Sequence, residues 1–277
     1  GTAGTSSDNT PGGTAVADDF DDGSLDSSWL WTDHDGGGSS SYTETGGELV
    51  ISAAGTAFST SNDKYCAVYK DDVTGSFTVT VKITAQQKQS TSGRCGIMVK
   101  NDITLNGSSA GYCFVGTAPT GGKYWFQYDN NGNGYLDSSS SAGSVVFPSW
   151  VKLVKTGSLF TGYYSTDGST WTQIGQATVS SAVTVQDVGL FAMSGSSTKY
   201  SACKFDDFSL TTAASTSPTF AFDDNNNTAW QLCINPSMTE PAILQFRFTT
   251  AKRILSYTLT CIDGSTTATD PADWTFE

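Results

Sequence analysis

Positive charge is scarce in this chain. Lys and Arg number 14 against 27 Asp and Glu, a formal net charge of −13 at pH 7. With so few cations, nothing would neutralise phosphates, which excludes nucleic acid as a partner. No apolar run reaches the roughly 18 residues that a membrane-spanning helix needs, so no membrane span is expected. No secretory leader precedes Gly1-Thr2-Ala3-Gly4, which reads as a mature or trimmed end. There is one histidine, His34, and none of the six cysteines forms a Cys-x-x-Cys pair, so a structural zinc site lacks its ligand spacing. Glutamate occurs only at Glu44, Glu48, Glu240 and Glu277, and proline only 7 times. That poverty, beside 29 Gly and abundant Ser and Thr, disfavours long helices and favours many strands joined by turns.

What is present fits that reading. Aromatics at 12 % supply large buried areas despite only 15 % charged residues. Acidic, Gly/Ser/Thr-rich composition points to an extracellular protein, secreted or at a surface. An even cysteine count in such a chain fits disulfides formed in an oxidising compartment. Two cysteines lie near the C-terminus, and Cys233 is paired with Cys261 on that ground. The other four, Cys66, Cys95, Cys113 and Cys203, leave their connectivity open. The alternative is a set of buried free thiols.

The stretch from Trp150 to Gly175 carries the fold. Val151 and Leu153 alternate with Lys152, Thr156-Gly157-Ser158 is a turn, and Leu159 to Tyr164 is a β-branched and aromatic strand. Ser165-Thr166-Asp167-Gly168 turns again, and Trp171 to Ile174 alternates once more. Three strands this close together form an antiparallel meander, with no room for helical crossovers. "WVKLVKTGSLFTGYYSTDGSTWTQIG" resembles the late meander of concanavalin-A-like (laminin-G-like) β-sandwich domains. Ala17 to Trp29, "ADDFDDGSLDSSW", resembles their opening, and Lys204 to Leu210, "KFDDFSL", their closing strand. The resemblance implies an all-β, antiparallel jelly-roll sandwich over residues 16–212. Within it, Ser76 to Ile83 sets Phe77, Val79, Val81 and Ile83 against Thr78, Thr80 and Lys82, a half-buried strand. Further strands are expected at 48–53, 65–69, 94–100, 112–116, 123–129 and 188–193.

Residues 1–15 are a Gly/Ser/Thr-rich leader that stays ordered only if tied down, and 213–217 are a linker by composition. Beyond it, Phe220 to Trp230, "FAFDDNNNTAW", resembles the loop of discoidin-type (factor 5/8 C-domain) domains. Ile243 to Phe248, Ile254 to Leu259 and "DPADWTFE" at 270–277 resemble its following strands. That implies a partial discoidin-like β-sandwich over 218–277, cut inside the motif. In that family the loop holds a structural Ca²⁺, which would fall to Asp223, Asn226 and Thr228.

Glucanases on the concanavalin-like fold place two carboxylates on one face of a strand within an E-x-D-x-x-E run, and no such run occurs here, so no enzyme activity is expected. Asp129 to Gly134 fits the start of a calcium loop, but Ser140 stands where a closing carboxylate is required, which favours an Asn-Gly turn. Asp18, Asp19, Asp206 and Asp207 form either a cation site where first and last strands meet or a solvated acidic edge. For sugar binding, alternation puts Tyr124, Phe126 and Tyr128 inward and Trp125 and Gln127 outward. The same logic on neighbouring strands leaves Arg94 and Tyr112 outward. Trp125, Gln127, Arg94 and Tyr112 then make a patch suited to stacking on a pyranose, unless a loop covers Trp125. Asn106 and Asn226 head N-glycosylation sequons. The sequence therefore reads as an extracellular, non-catalytic carbohydrate-binding or adhesion module pair of a larger protein, its partners glycans. The competing reading is a structural subunit of an extracellular assembly, its partners neighbouring subunits or copies of itself.

Overall fold

The period-two pattern of Ser76 to Ile83 becomes the strand around which one sheet is built. The structure is a computed structural model that describes residues 15–34, 39–55, 64–105 and 109–213. Phe77, Val79, Val81 and Ile83 are buried and the threonines and lysine between them are half-exposed. Among the described residues there are fifteen strands and no helix. β1 (Ala15–Asp18), β3 (Ser41–Glu44), β4 (Leu49–Gly55), β6 (Phe77–Gln86), β11 (Ser149–Thr156), β12 (Leu159–Ser165), β13 (Thr172–Thr178) and β15 (Ser196–Thr212) form one sheet, ordered β13-β12-β11-β6-β15-β4-β3 with β1 also on β15. β2 (Leu30–Asp33), β5 (Cys66–Thr74), β7 (Arg94–Lys100), β8 (Cys113–Thr117), β9 (Tyr124–Tyr128), β10 (Ser138–Ala142) and β14 (Val185–Met193) form the other, ordered β10-β9-β8-β7-β14-β5-β2. Every pairing is antiparallel.

The long last strand ties the chain's ends together. Its register shifts between Asp206 and Ser209, where Asp207 takes φ +48°. That bulge lets β15 pair with β4 over its first part and with β1 through Phe208 to Thr211. The described strands belong to one compact unit spanning 14–212. The discoidin-like resemblance at 218–277 lies outside the described residues, as do residues 1–14 of the leader and the linker beyond Ala213.

The inner faces of the two sheets make the main core. Val79, Val81, Val151, Leu153 and Phe160 come from one sheet, and Ile97, Val99, Val115, Tyr124 and Phe126 from the other. Phe126 sits where the facing sheet has no side chains. A Cβ on Gly162 would lie 2.9 Å from its ring, and one on Gly175 3.1 Å. Beside it, Tyr124 and Tyr164 stack with ring centroids 4.1 Å apart. Gly162→Ala is therefore expected to destabilise the domain by about 1–3 kcal/mol through overpacking, read as a lower midpoint in denaturant unfolding.

One cation sits at the margin of this core. Lys155 is 2 % exposed, its Nζ donates to the carbonyls of Val183 (2.8 Å) and Thr184 (3.4 Å), and the Phe77 ring lies 5.5 Å away. Burial pulls its amine down to about 8, a shift the neighbouring Cys113 thiol only partly opposes. The unfolded chain holds the Lys155 proton up to about pH 10.4, so between about 8 and that value the unfolded state binds more protons. Lys155's contribution is thus largest above the unfolded value and is lost as pH falls through 8. Because the buried thiols titrate with the opposite sign, the test is a difference. Wild type minus Lys155→Met stability should rise by up to ~3 kcal/mol from pH 8 to 10.5, measured by urea unfolding.

Candidate functional site

Trp125 reaches the outer face of the seven-stranded sheet because its neighbours Tyr124 and Phe126 are committed to the core. Across the sheet its row runs Ser141, Trp125, Gly116, Gly96, Phe191. The two glycines leave the floor beside Trp125 without side chains. Arg94, at the start of β7, lies over the Trp125 ring with its guanidinium carbon 5.0 Å from the centroid. Its Nη1 donates to the carbonyls of Thr91 (3.0 Å) and Gly93 (2.8 Å). Burial lowers the guanidinium pKa from its ordinary value, without bringing it near neutrality. Trp125 Nε1 and Arg94 Nε are both buried donors without a hydrogen-bond partner. Gln127, two residues along β9 on the same face, is half-buried and paired in register with Phe114 and Ser139.

Tyr112 departs from the sequence expectation. It does lie on this face, but it is 0 % exposed and cannot offer its ring to a ligand. It belongs to a second apolar cluster with Tyr65, Tyr69, Met98, Ile103, Phe114 and Phe191, against which Trp125 packs from the side. The Lys100 ammonium lies 4.4 Å from its centroid. The middle of this face is thus a covered core, and the accessible patch contracts to Trp125, Arg94 and Gln127 at its border. His34 joins the same region, with Nε2 3.1 Å from both Thr32 Oγ1 and the Ile103 carbonyl.

The cysteines require a second correction. Cys66, Cys95, Cys113 and Cys203 are free and buried, so the expected disulfides do not form among them. Each sits in the inner core, where a thiol packs as a small apolar group. Cys66 Sγ donates to Asp33 Oδ1 at 3.3 Å, and Cys95 Sγ lies 3.3 Å from Thr117 Oγ1. Burial pushes the Cys113 and Cys203 thiols above their ordinary value. Cys233 and Cys261 lie outside the described residues. So do the calcium residues Asp223, Asn226 and Thr228, and both sequon asparagines, Asn106 and Asn226.

Of the acidic groups considered for cations, Asp18, Asp129, Asp206 and Asp207 are engaged by the protein itself. Asp129 Oδ1 accepts from the backbone N–H of Asn131 (3.1 Å) and Gly132 (2.7 Å), and Oδ2 from that of Gly134 (2.7 Å), the bonding of a side-chain-closed turn. Asp18 accepts from Phe20 N and Trp29 Nε1. Asp206 and Asp207 instead hold Lys82, at 2.8 and 3.4 Å. An open cleft of about 610 Å³ is lined by Asp18, Asp19, Asp22, Asp26, Lys70 and Asp207 among others, yet among the described residues no three metal-ligating side chains converge.

Two antiparallel sheets packed face to face, with first and last strands paired, define a concanavalin A-like β-sandwich. Residues 17–211 match the beta xylosidase C-terminal concanavalin A-like domain, and the chain belongs to that family. Among solved structures it is similar to the GH43 BlXynB protein from Bacillus licheniformis, at 21 % identity and TM-score 0.53, covering 71 % of this chain and 39 % of that one. It is also similar to a xylan beta-1,4-xylosidase from Bacillus halodurans C-125, at 17 % identity and TM-score 0.50, covering 70 % and 38 %. A functionally unknown protein from Saccharomyces cerevisiae matches at 18 % identity and TM-score 0.52, covering 68 % and 98 %. At such identities the likeness shows the fold alone, and the chain spans about two fifths of either Bacillus protein. A search of curated proteins finds no match.

Thiol titration checks the cysteine assignment. Without reductant, the native domain should leave Cys66, Cys95, Cys113 and Cys203 unreactive to an aromatic disulfide reagent. Guanidinium should release all four, whereas bridges among them would keep them silent in both conditions.

Proposed function

We propose that this domain is a non-catalytic carbohydrate-binding module of a larger extracellular protein, and that its saccharide site is the border of the seven-stranded sheet at Trp125, Arg94 and Gln127. The observation that carries this reading is the indole of Trp125, still partly exposed at the sheet border, with the partly exposed Arg94 guanidinium and Gln127 amide beside it. A pyranose presents an apolar C–H face to an aromatic ring and hydroxyls to adjacent polar side chains, and this border offers both in Trp125 and in Arg94 and Gln127. The fold supports the reading as a scaffold and does not decide it.

Family membership favours a second, compatible role: an accessory domain working beside a catalytic region of the same polypeptide. In that role the module would hold substrate, and hydrolysis would be performed elsewhere. The border at Trp125 is accordingly read as a binding site.

Affinity electrophoresis and calorimetry against neutral plant polysaccharides, xylan included, test the assignment. Trp125→Ala and Arg94→Ala should each weaken binding about tenfold or more, the equivalent of roughly 1.4 kcal/mol. Retention of wild-type affinity in both would remove the site from this border.

A further inference from the structure

The opposite face of the sandwich holds a second arrangement, built on the meander of β11, β12 and β13. On β11, Val151 and Leu153 point inward, so Trp150, Lys152 and Val154 point out from the eight-stranded sheet. On β12, Gly162 and Tyr164 face the core and Tyr163 points out. Lys152 and Tyr163 are direct cross-strand partners. The Lys152 ammonium lies 4.8 Å from the Tyr163 centroid and 4.0 Å from that of Trp171. Trp150 stands two residues before Lys152 on β11, in register with Ser165 and Lys82, and its ring rests on Gly168.

The charge distribution here is unlike that of the rest of the chain. The row through Lys152 runs Ser209, Thr80, Lys152, Tyr163, Gln173, and the next runs Thr211, Thr78, Val154, Thr161, Gln176. Neither contains a carboxylate, on a chain whose formal charge is −13. The other lysines of this face are already paired: Lys82 with Asp206 and Asp207, and Lys204 with Glu48 at 2.6 Å. Lys152 has no carboxylate within ion-pair distance among the described residues. Burial lowers its pKa, and no neighbouring acid offsets the shift. The acidic group of the adjacent turn, Asp167, is held by its own loop, where Oδ1 accepts from Ser169 N (2.8 Å), Thr170 N (2.7 Å) and Ser165 Oγ (2.9 Å).

From this we infer that the outer face of β11, β12 and β13 is a separate binding site for an acidic polysaccharide, with a uronate carboxylate on Lys152 and sugar rings against Tyr163, Trp171 and Trp150. A lone half-buried ammonium between aromatic rings lacks a counter-anion, and a uronate supplies one. Hydroxyls of Thr80 and the Gln173 amide match the polar rim of a sugar. The inference rests on the reading of the domain as a carbohydrate binder, but it uses residues on the opposite sheet from Trp125 and a different class of saccharide.

The test uses polygalacturonate as the acidic probe and neutral xylan as its counterpart, with the full chain and binding measured by calorimetry at two salt concentrations. Wild type should bind polygalacturonate, more weakly at high salt because the contact is ionic. Lys152→Met should lose about tenfold or more of that affinity. Lys152→Arg should restore it, and Lys199→Met, an exposed lysine elsewhere, should behave as wild type. Unchanged polygalacturonate affinity in Lys152→Met would overturn the inference, as would an equal loss in Lys199→Met, which would mean bulk charge. A wild type that binds xylan but not polygalacturonate would sink this site and leave the Trp125 reading standing. Lys152-dependent binding of polygalacturonate alone would do the reverse.

Discussion

The seating of Phe126 between two glycines of the opposite sheet fixes the registration of the whole sandwich. A strand has two faces and a period of two residues, so one buried side chain determines where all its neighbours point. With Phe126 against Gly162 and Gly175, Trp125 and Gln127 must leave the core on one side. By the same constraint Gly162 faces inward, so Tyr163 must leave it on the other. The two candidate saccharide faces are therefore consequences of one packing contact. A slip of one residue in β9 would bury Trp125 and expose Phe126, abolishing the core and the site together.

Strands whose inner residues supply the core could be read from the sequence, since burial imposes alternation on them directly. β6, β9 and β11 are of this kind, and the inward set Cys95, Ile97, Val99, Cys113 and Val115 follows from the period of two in their sequences. β10, with the sequence Ser-Ser-Ser-Ser-Ala, carries no such signal and is a strand because β9 offers it a ladder edge. β1 and β2, at four residues each, are likewise set by their partners β15 and β5. Pairing is a tertiary event that short windows of sequence do not encode.

The site was legible in its orientation but not in its burial. Alternation correctly places Tyr112 on the outer side, yet says nothing of what lies above it. Ile103, from the loop after β7, joins Tyr112 and Phe114 in a second core. The cysteines misled for a related reason. An even count suggests bridges, but in a sheet interior a thiol also serves as a small packing group, and these four are spent that way. The unpaired Lys152 was invisible as a site because sequence alone does not show which carboxylates are already engaged.

The placement of the few cations links stability to recognition. In the described domain, Lys70 lies over Trp29, Lys82 over Trp150, Arg94 over Trp125, Lys100 over Tyr112 and Lys152 over Trp171. Their aliphatic stems cover aromatic surface while the charged ends meet ring faces. Several carboxylates go instead into turns, where Asp26, Asp102, Asp129 and Asp167 accept backbone N–H groups, while Asp206, Asp207 and Glu48 pair with Lys82 and Lys204 on the eight-stranded sheet. Acidic groups are thus engaged by turn backbone or by lysines, and the cation–aromatic pairs at Arg94 and Lys152 are left without a carboxylate partner among the described residues. A protein of strongly negative net charge can by this division still present local sites of neutral or positive character, and those sites lie on the rigid sheets, where side-chain positions are fixed by the register beneath them.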